Sequence, residues 1–163
     1  MPAIVEKINL LIRTEAPLSG DRLLKKILRS FDFGRSSPAL AEMTEKAMKK
    51  SAGRVNKQNG VKFYWRPDQD PETYDICRRN AGSEDLRAAE DIPQQEIKNA
   101  ICLTLQAGGI LTKEALVKET IRTMGFGRSG AALAGAVERG LKYGRRKGEI
   151  IQSGVNQFHL PEE

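Results

Sequence analysis

Apolar residues in the first third of the chain recur three and four positions apart, which is the period of an α-helix with one buried face. They predict three helices in succession. The second begins after Ser19, and the third begins after Ser36 or Ser37 with Pro38 in its first turn, because these residue types are favoured at helix starts. The predicted buried stripes are Ile4, Ile8, Leu11 and Ile12, then Leu23, Leu24, Ile27 and Leu28, and then Leu40, Met43 and Ala47.

The pattern changes from helical to alternating after the third helix. Residues 61–66, VKFYWR, alternate between two faces, as a half-buried strand does. Asn59 and Gly60, just before them, favour a tight type I′ turn, whose two central residues need positive φ. We expect a β-hairpin with Trp65 in the core and Tyr64 facing outward. Tyr64 would either stack on a nucleic-acid base or cover the linker that follows the hairpin.

The same order of elements recurs at an offset of 93 residues. The stretch RSFDFGRSSPAL, residues 29–40, is identical at seven of twelve positions to RTMGFGRSGAAL, residues 122–133. Thr112 is the second copy's equivalent of the Ser19 cap, and a Ser153-Gly154 turn is predicted in its hairpin. A period this long is that of a small domain plus a linker, so it indicates a tandem duplication. The second set of predicted stripes is Ile97, Ile101, Leu103 and Leu105, then Leu116, Val117, Thr120 and Ile121, and then Leu133, Ala136 or Val137, and Leu141.

The most similar part of the two copies is the FGR corner between the second and third helices. Gly34 and Gly127 are expected to take positive φ where the second helix ends. Phe33 and Phe126 are expected to fill the core beneath the corner.

Three helices followed by a β-hairpin is the plan of a helix-turn-helix domain with a wing. The predicted fold class is therefore mainly α with small β-hairpins, α+β, in two tandem winged-helix domains. Repeat 1 spans residues 1–66 and repeat 2 spans 93–163. Residues 67–92, which hold eight acids and three arginines, are predicted to be an acidic linker.

Composition narrows the classes of protein that the chain can belong to. No window approaches 18 consecutive apolar residues and no signal peptide is evident, so we expect a cytoplasmic protein without a membrane partner. Cys77 and Cys102 lack metal-ligand spacing and are expected to be reduced thiols. His159 is the single histidine, and no nucleophile or phosphate-loop pattern is present. We therefore expect a protein that is not an enzyme and binds neither metal nor cofactor.

The remaining signal is positive charge, which is concentrated after each FGR corner. Residues 35–66 carry eight basic and two acidic side chains, and residues 128–149 carry six basic and two acidic side chains. In a helix-turn-helix the third helix faces the DNA, and arginine at the corner could clamp a phosphate. The alternatives are that the lysines cover solvated helix faces, and that Arg35 and Arg128 bind carbonyls or a carboxylate. The candidate nucleic-acid-binding residues are Arg35, Ser36, Lys46, Lys49, Lys50, Arg54, Lys57, Lys62, Arg128, Ser129, Arg139, Lys142, Arg145, Arg146 and Lys147.

Three segments resemble a known family: LTKEALVKETIRTMGFGRSG, VKFYWRPDQDP and RRNAGSEDLRAAEDIPQQEIKNAI. They are similar to the C-terminal domain of unknown function of very large bacterial proteins that carry superfamily 1 helicase and restriction-endonuclease-like segments. The resemblance covers most of residues 18–150 and is better in the second copy. It implies an accessory module of a helicase–nuclease system, with a helicase or nuclease polypeptide as a partner. It assigns no catalytic residues to this chain.

These observations predict a non-catalytic module that binds nucleic acid, chiefly double-stranded DNA, through phosphates. One alternative is a protein-interaction or homodimerisation module, in which the small-residue helix at 129–141 is the docking face. Another is a regulatory domain whose acidic linker competes with DNA for the basic faces.

Overall fold

The structure is a computed structural model that describes residues 2–79 and 87–162. The chain forms two compact units, Met1–Thr73 and Tyr74–Glu163, which we call unit 1 and unit 2. Both are α+β, with helices packed beside small antiparallel sheets, as the sequence pattern predicted. Within the described ranges, no helix combines the length and apolar character needed to cross a bilayer.

The described part of unit 1 contains three helices and three strands. Helices α1 (Pro2–Glu15), α2 (Gly20–Ser30) and α3 (Pro38–Ser51) are followed by strands β2 (Arg54–Gln58) and β3 (Val61–Trp65). The short strand β1 (Leu18–Ser19) lies between α1 and α2 in sequence and pairs with β3. The antiparallel sheet therefore has the order β1-β3-β2, with β3 in the middle.

Unit 2 repeats this order. Helices α4 (Gln94–Gly108), α5 (Lys113–Thr123) and α6 (Ala131–Arg146) precede a hairpin of β4 (Ile151–Ser153) and β5 (Gln157–His159). A single antiparallel bridge between Leu111 and Phe158 stands where β1 pairs with β3 in unit 1. A 3-10 helix, Ala89–Asp91, comes before α4.

The predicted caps and most of the predicted stripes are confirmed. Ser19, Ser37 and Thr112 each accept a hydrogen bond from the backbone N–H three residues on, at 3.1, 3.1 and 3.3 Å. The prediction for Leu103 is wrong, because the buried face of α4 continues through Thr104 and leaves Leu103 exposed. Each isoleucine or leucine that is fully buried in these stripes contributes about 1.5–3 kcal/mol by leaving water. The four apolar residues predicted for α1 are all buried, namely Ile4, Ile8, Leu11 and Ile12.

The FGR corners differ from the prediction in two respects. The residues with positive φ are Asp32 (57°) and Gly125 (90°), each two positions before the glycine that was expected. In both copies the next residue donates its backbone N–H to a carbonyl five residues back, which is the hydrogen bond of a Schellman C-cap. Phe126 is buried, but Phe33 is 41% exposed and stacks on Phe31 with ring centroids 6.2 Å apart.

The two hairpins differ in their turns. Asn59 (φ 49°) and Gly60 (φ 80°) form the predicted two-residue turn of unit 1. In unit 2, Ser153 pairs with Gln157, so the loop has three residues and not the predicted two. The prediction for Tyr64 is also wrong: it is 1% exposed, because its face of the sheet packs against the helices, in one core cluster with Leu23 and Met48.

Helices α4 and α6 approach each other closely at glycine. A Cβ on Gly140 would lie 2.7 Å from Cβ of Ile97 and 3.1 Å from the backbone nitrogen of Lys98. A Cβ on Gly144 would lie 2.9 Å from Cγ of Lys98. Part of the small-residue helix that was a predicted docking face therefore packs against α4 inside unit 2. Its beginning, near Ala131 and Ala132, stays exposed.

The stretch predicted as a linker, 67–92, is divided between the units at Thr73, and its residues 80–86 lie outside the described ranges. We call residues 74–79 and 87–92 the arm of unit 2. The Asn99 side chain donates to the carbonyl oxygens of Tyr74 (3.1 Å) and Ile76 (2.9 Å). Ala89 and Ile92 belong to the hydrophobic core of unit 2.

A buried carboxylate fastens the arm to α4. Glu96 accepts hydrogen bonds from Arg78 Nε (2.9 Å) and Nη2 (2.7 Å), and from Arg87 Nη1 (3.0 Å) and Nη2. Arg87 also donates to the Arg78 carbonyl at 3.0 Å. Because a buried charge must be paired and hydrogen-bonded, Glu96 requires both arginines in place. At least part of the predicted linker is therefore folded structure.

Candidate nucleic-acid interface

Four of the predicted cations of unit 1 are engaged in ion pairs. Lys46 pairs with Glu42 at 3.4 Å, and Arg54 pairs with Asp70 at 2.9 Å. Lys49 and Lys62 share Glu45, at 3.4 and 2.6 Å. The hydrogen bond from Lys62 lowers the pKa of the Glu45 carboxyl and raises the pKa of the Lys62 ammonium. Nearby carboxylates therefore neutralise much of the positive charge on α3 and the hairpin of unit 1.

The other predicted residues of unit 1 are distributed over the loop before α3, the end of α3 and strand β2. Arg35 and Ser36 are exposed in the loop before α3, and the Ser36 hydroxyl donates to the Ser37 carbonyl at 3.2 Å. Lys57 is exposed on β2, directly opposite Lys62 on β3, and Lys50 is exposed near the end of α3.

Unit 2 brings a set of cations together beside an acid, Glu138, which is hydrogen-bonded to Lys113 and also lies near Lys142. Lys142, Arg145 and Arg146 are exposed on the last two turns of α6, and they line shallow depressions of about 300 and 470 Å³ beside the hairpin. None of the three makes an ion pair with another residue in the described ranges. We call Lys142, Arg145 and Arg146 the α6 cluster.

Neighbouring side chains hold the α6 cluster and the hairpin in position. The guanidinium of Arg146 lies over the Tyr143 ring, 5.5 Å from its centroid, and Tyr143 is itself buried. Gln152 on β4 faces the same depressions and donates to the Val155 carbonyl at 2.9 Å, which braces the hairpin loop. Tyr143 and Gln152 did not emerge from the sequence, although the three-residue spacing of Tyr143 and Arg146 is compatible with contact on a helix.

A second set of bonds ties the hairpin loop to the start of α5. Asn156 accepts from the Lys113 backbone N–H (3.1 Å) and donates to Glu114 (3.1 Å). Lys113 also pairs with Glu138 at 2.8 Å, and this bond lowers the pKa of the Glu138 carboxyl. The one acid on α6 near the cluster is thereby already paired with a lysine of another helix.

The remaining predicted residues of unit 2 are not part of the cluster. Arg128 and Ser129 are exposed in the loop before α6. Because α6 has 16 residues, its two ends are about 24 Å apart, so Arg128 lies at the far end from Arg145. Arg139 is half-buried, and Lys147 is the C-cap residue of α6.

The cysteines and the histidine have structural surroundings. Burial, and next the charge of Glu96, raises the pKa of Cys77 to about 11, and burial also raises the pKa of Cys102. Thiols with raised pKa values are poor nucleophiles at neutral pH. His159 on β5 shares a hydrogen bond of 2.7 Å with Ser153 across the hairpin.

No family model, curated protein or solved structure matches the chain. The geometry of the two units is therefore the basis for the functional proposals.

Proposed function

We propose that the chain is a non-catalytic, tandem winged-helix module that binds nucleic acid, chiefly duplex DNA, through its phosphates. The observation that carries this proposal is the α6 cluster: three exposed cations that form no ion pair among the described residues, beside a braced hairpin. In a winged-helix domain the third helix and the wing are the elements that meet the duplex. Unit 2 is the principal contact, because the corresponding lysines of unit 1 are largely ion-paired.

The composition of α6 favours phosphate contacts over base reading. Its first half, AALAGAV, offers no side chain that can donate or accept hydrogen bonds at base edges. Its cations stand in the second half, where they can reach the backbone of a duplex. Such contacts supply affinity without sequence preference. An accessory role in a helicase–nuclease system, which the family resemblance implies, is part of this proposal.

The test compares two double variants that remove the same charge from different units. Lys142→Ala/Arg145→Ala removes cations of the α6 cluster, whereas Lys46→Ala/Lys49→Ala removes ion-paired cations of α3. Anisotropy of a short fluorescent duplex is measured between about 50 and 200 mM salt. We expect the unit 2 variant to lower the salt slope by about 0.9 for each lost phosphate contact, and the unit 1 variant to change it little.

Two results would count against the proposal. If wild-type protein binds neither duplex nor single strands at the lower salt concentration, nucleic acid is not its partner. If the two double variants weaken binding equally, net charge explains the affinity and the α6 cluster has no particular role. The same assay with Arg35→Ala/Arg128→Ala tests the corner arginines. We expect this double substitution to weaken binding severalfold.

A further inference from the structure

Unit 1 contains an apolar groove between α1 and α3, where the corresponding helices of unit 2, α4 and α6, are in close contact. The groove has a volume of about 890 Å³ and continues to the segment after β3. Its floor includes Val5, Ile12, Met43 and Ala47. Val5 is 39% exposed, so part of this apolar floor is open to solvent.

The equivalent surface of unit 2 is closed in two ways. Gly140 and Gly144 stand where unit 1 has Ala47 and Ser51, and these glycines let α6 touch α4. The arm then covers the adjoining face of α4, so that every residue from 95 to 101 is buried. In unit 1, by contrast, Val5 and Asn9 of α1 are exposed, and the described residues place no arm over them.

The rim of the unit 1 groove is positively charged. Four cations line it, of which Arg66 is bound to Asp68 (3.1 Å) and Lys46 forms an exposed pair with Glu42. Arg13 and Lys50 make no ion pair with a carboxylate in the part of unit 1 that the structure describes. Asp68 is the one acidic residue of the lining. An occupant therefore meets an apolar floor and an excess of positive charge.

We propose that this groove docks an acidic segment of a partner protein that carries apolar side chains. The arm of unit 2 is the internal precedent, since it is a segment held on the adjoining face of the equivalent helix by apolar contacts and charge-assisted hydrogen bonds. The polarity is reversed in unit 1: there the groove supplies the cations and the partner supplies the carboxylates. Nucleic acid is a poorer match, because phosphates gain nothing from an apolar floor. This inference does not depend on nucleic-acid binding by unit 2.

The test uses the full chain with selective methyl labelling and a synthetic peptide of alternating glutamate and leucine as the probe. We expect the peptide to shift the NMR methyl signals of Val5, Ile12, Met43 and Ala47. A matched peptide with glutamine in place of glutamate should bind about tenfold more weakly, because the charge complement is lost.

Charge reversal at the rim locates the contact. Arg13→Glu/Lys50→Glu should weaken the acidic peptide by about tenfold or more, because like charges then face each other. Lys25→Glu/Lys118→Glu is the control with the same net charge. It should leave peptide affinity unchanged, because both residues are exposed and lie outside the groove lining and the α6 cluster. Both positions of the rim variant are exposed, so folding should be retained, and amide NMR spectra verify this.

Three outcomes overturn the proposal. The first is the absence of methyl shifts at millimolar peptide. The second is equal weakening by the rim variant and the control variant, which would indicate non-specific attraction. The third is a duplex that shifts these methyls while the peptide does not, which would assign the groove to nucleic acid. Failure here leaves the α6 cluster untouched, because the duplex assay has its own variants.

Discussion

Replacing Glu96 by alanine should strongly destabilise unit 2. Glu96 is 2% exposed and accepts four hydrogen bonds from two arginines of the arm. The substitution removes the carboxylate but leaves both guanidinium groups in place. The arm then loses its four hydrogen bonds to Glu96, while its apolar contacts and the Asn99 hydrogen bonds to α4 remain.

The magnitude follows from the burial of the two arginines. The Arg87 side chain is 11% exposed, so its charge stays nearly buried after it loses the carboxylate. Breaking a buried pair in this way costs about 3–5 kcal/mol. The Arg78 side chain is 30% exposed and can regain water, which places the loss near the lower end, at about 3 kcal/mol. For a unit of this size that corresponds to a fall in Tm of about 12–24 °C.

Glu45→Ala in unit 1 is the matched control, because Glu45 also lies between two cations but is solvent-exposed. Thermal unfolding of both variants is followed together with amide hydrogen exchange, which reports each unit separately. We expect faster exchange in residues 74–79 and 87–92 for Glu96→Ala alone. If Glu96→Ala unfolds within about 0.5 kcal/mol of wild type, the carboxylate does not hold the arm.

Two further predictions concern unit 2. Gly140→Ala should destabilise the protein by about 1–3 kcal/mol, because the added methyl enters the α4–α6 contact. Gly135→Ala, on the same helix, should stabilise by about 0.5–1 kcal/mol, because the added methyl would meet only Arg139 Nη1, at an ordinary contact distance of 3.9 Å. Denaturant titration distinguishes the two variants, and equal effects would contradict the packing argument. Lys113→Met should raise the pKa of Glu138 towards its ordinary value, as followed by NMR titration of the carboxyl carbon. The folded pKa of Glu138 lies below the unfolded value, so its ion pair stabilises the fold at pH values above the unfolded pKa. This stabilisation is lost as the pH falls through the folded pKa. An unchanged titration of Glu138 in Lys113→Met would refute the role of Lys113.

Helical features were the most predictable, because they depend on local spacing. The stripe of α1 and the caps at Ser19, Ser37 and Thr112 follow from residue types three and four positions apart. The type I′ turn at Asn59 was equally predictable from the local sequence, since few residues accept positive φ. At the helix ends, Asp32 took the positive φ that was assigned to a later glycine, because the Schellman geometry fixes which position turns.

Features that depend on distant contacts were not predictable. Tyr64 was expected outside because an alternating strand has one wet face, but both faces of β3 are buried and Tyr64 packs on the helices. Acidity in residues 67–92 suggested solvated linker, and no local signal shows that Arg78 and Arg87 converge on Glu96. The nucleic-acid prediction itself stays a prediction for all fifteen candidate residues.

The neutralisation of α3 was within reach of the sequence. Glu42 and Glu45 each stand four residues before a lysine, at the spacing of stabilising helix ion pairs. Counting net charge concealed this, because the total does not show which cations are already paired. In α6 the corresponding positions are Gly135 and Glu138, so only one acid is present, and it is bound by Lys113.

The two copies therefore treat the same pair of helices in opposite ways. In unit 2, glycine closes the contact between the first and third helices and the arm covers the first, while the α6 cluster forms no ion pair among the described residues. In unit 1, larger residues stand at the glycine positions, an apolar groove is open, and the lysines of the third helix are largely paired. Pairing those lysines weakens attraction for phosphate, and an open groove exposes apolar surface at a cost in free energy. The paired lysines and the open groove would each be unfavourable in a duplex-binding domain. Both features are explained if unit 1 binds protein while unit 2 binds nucleic acid.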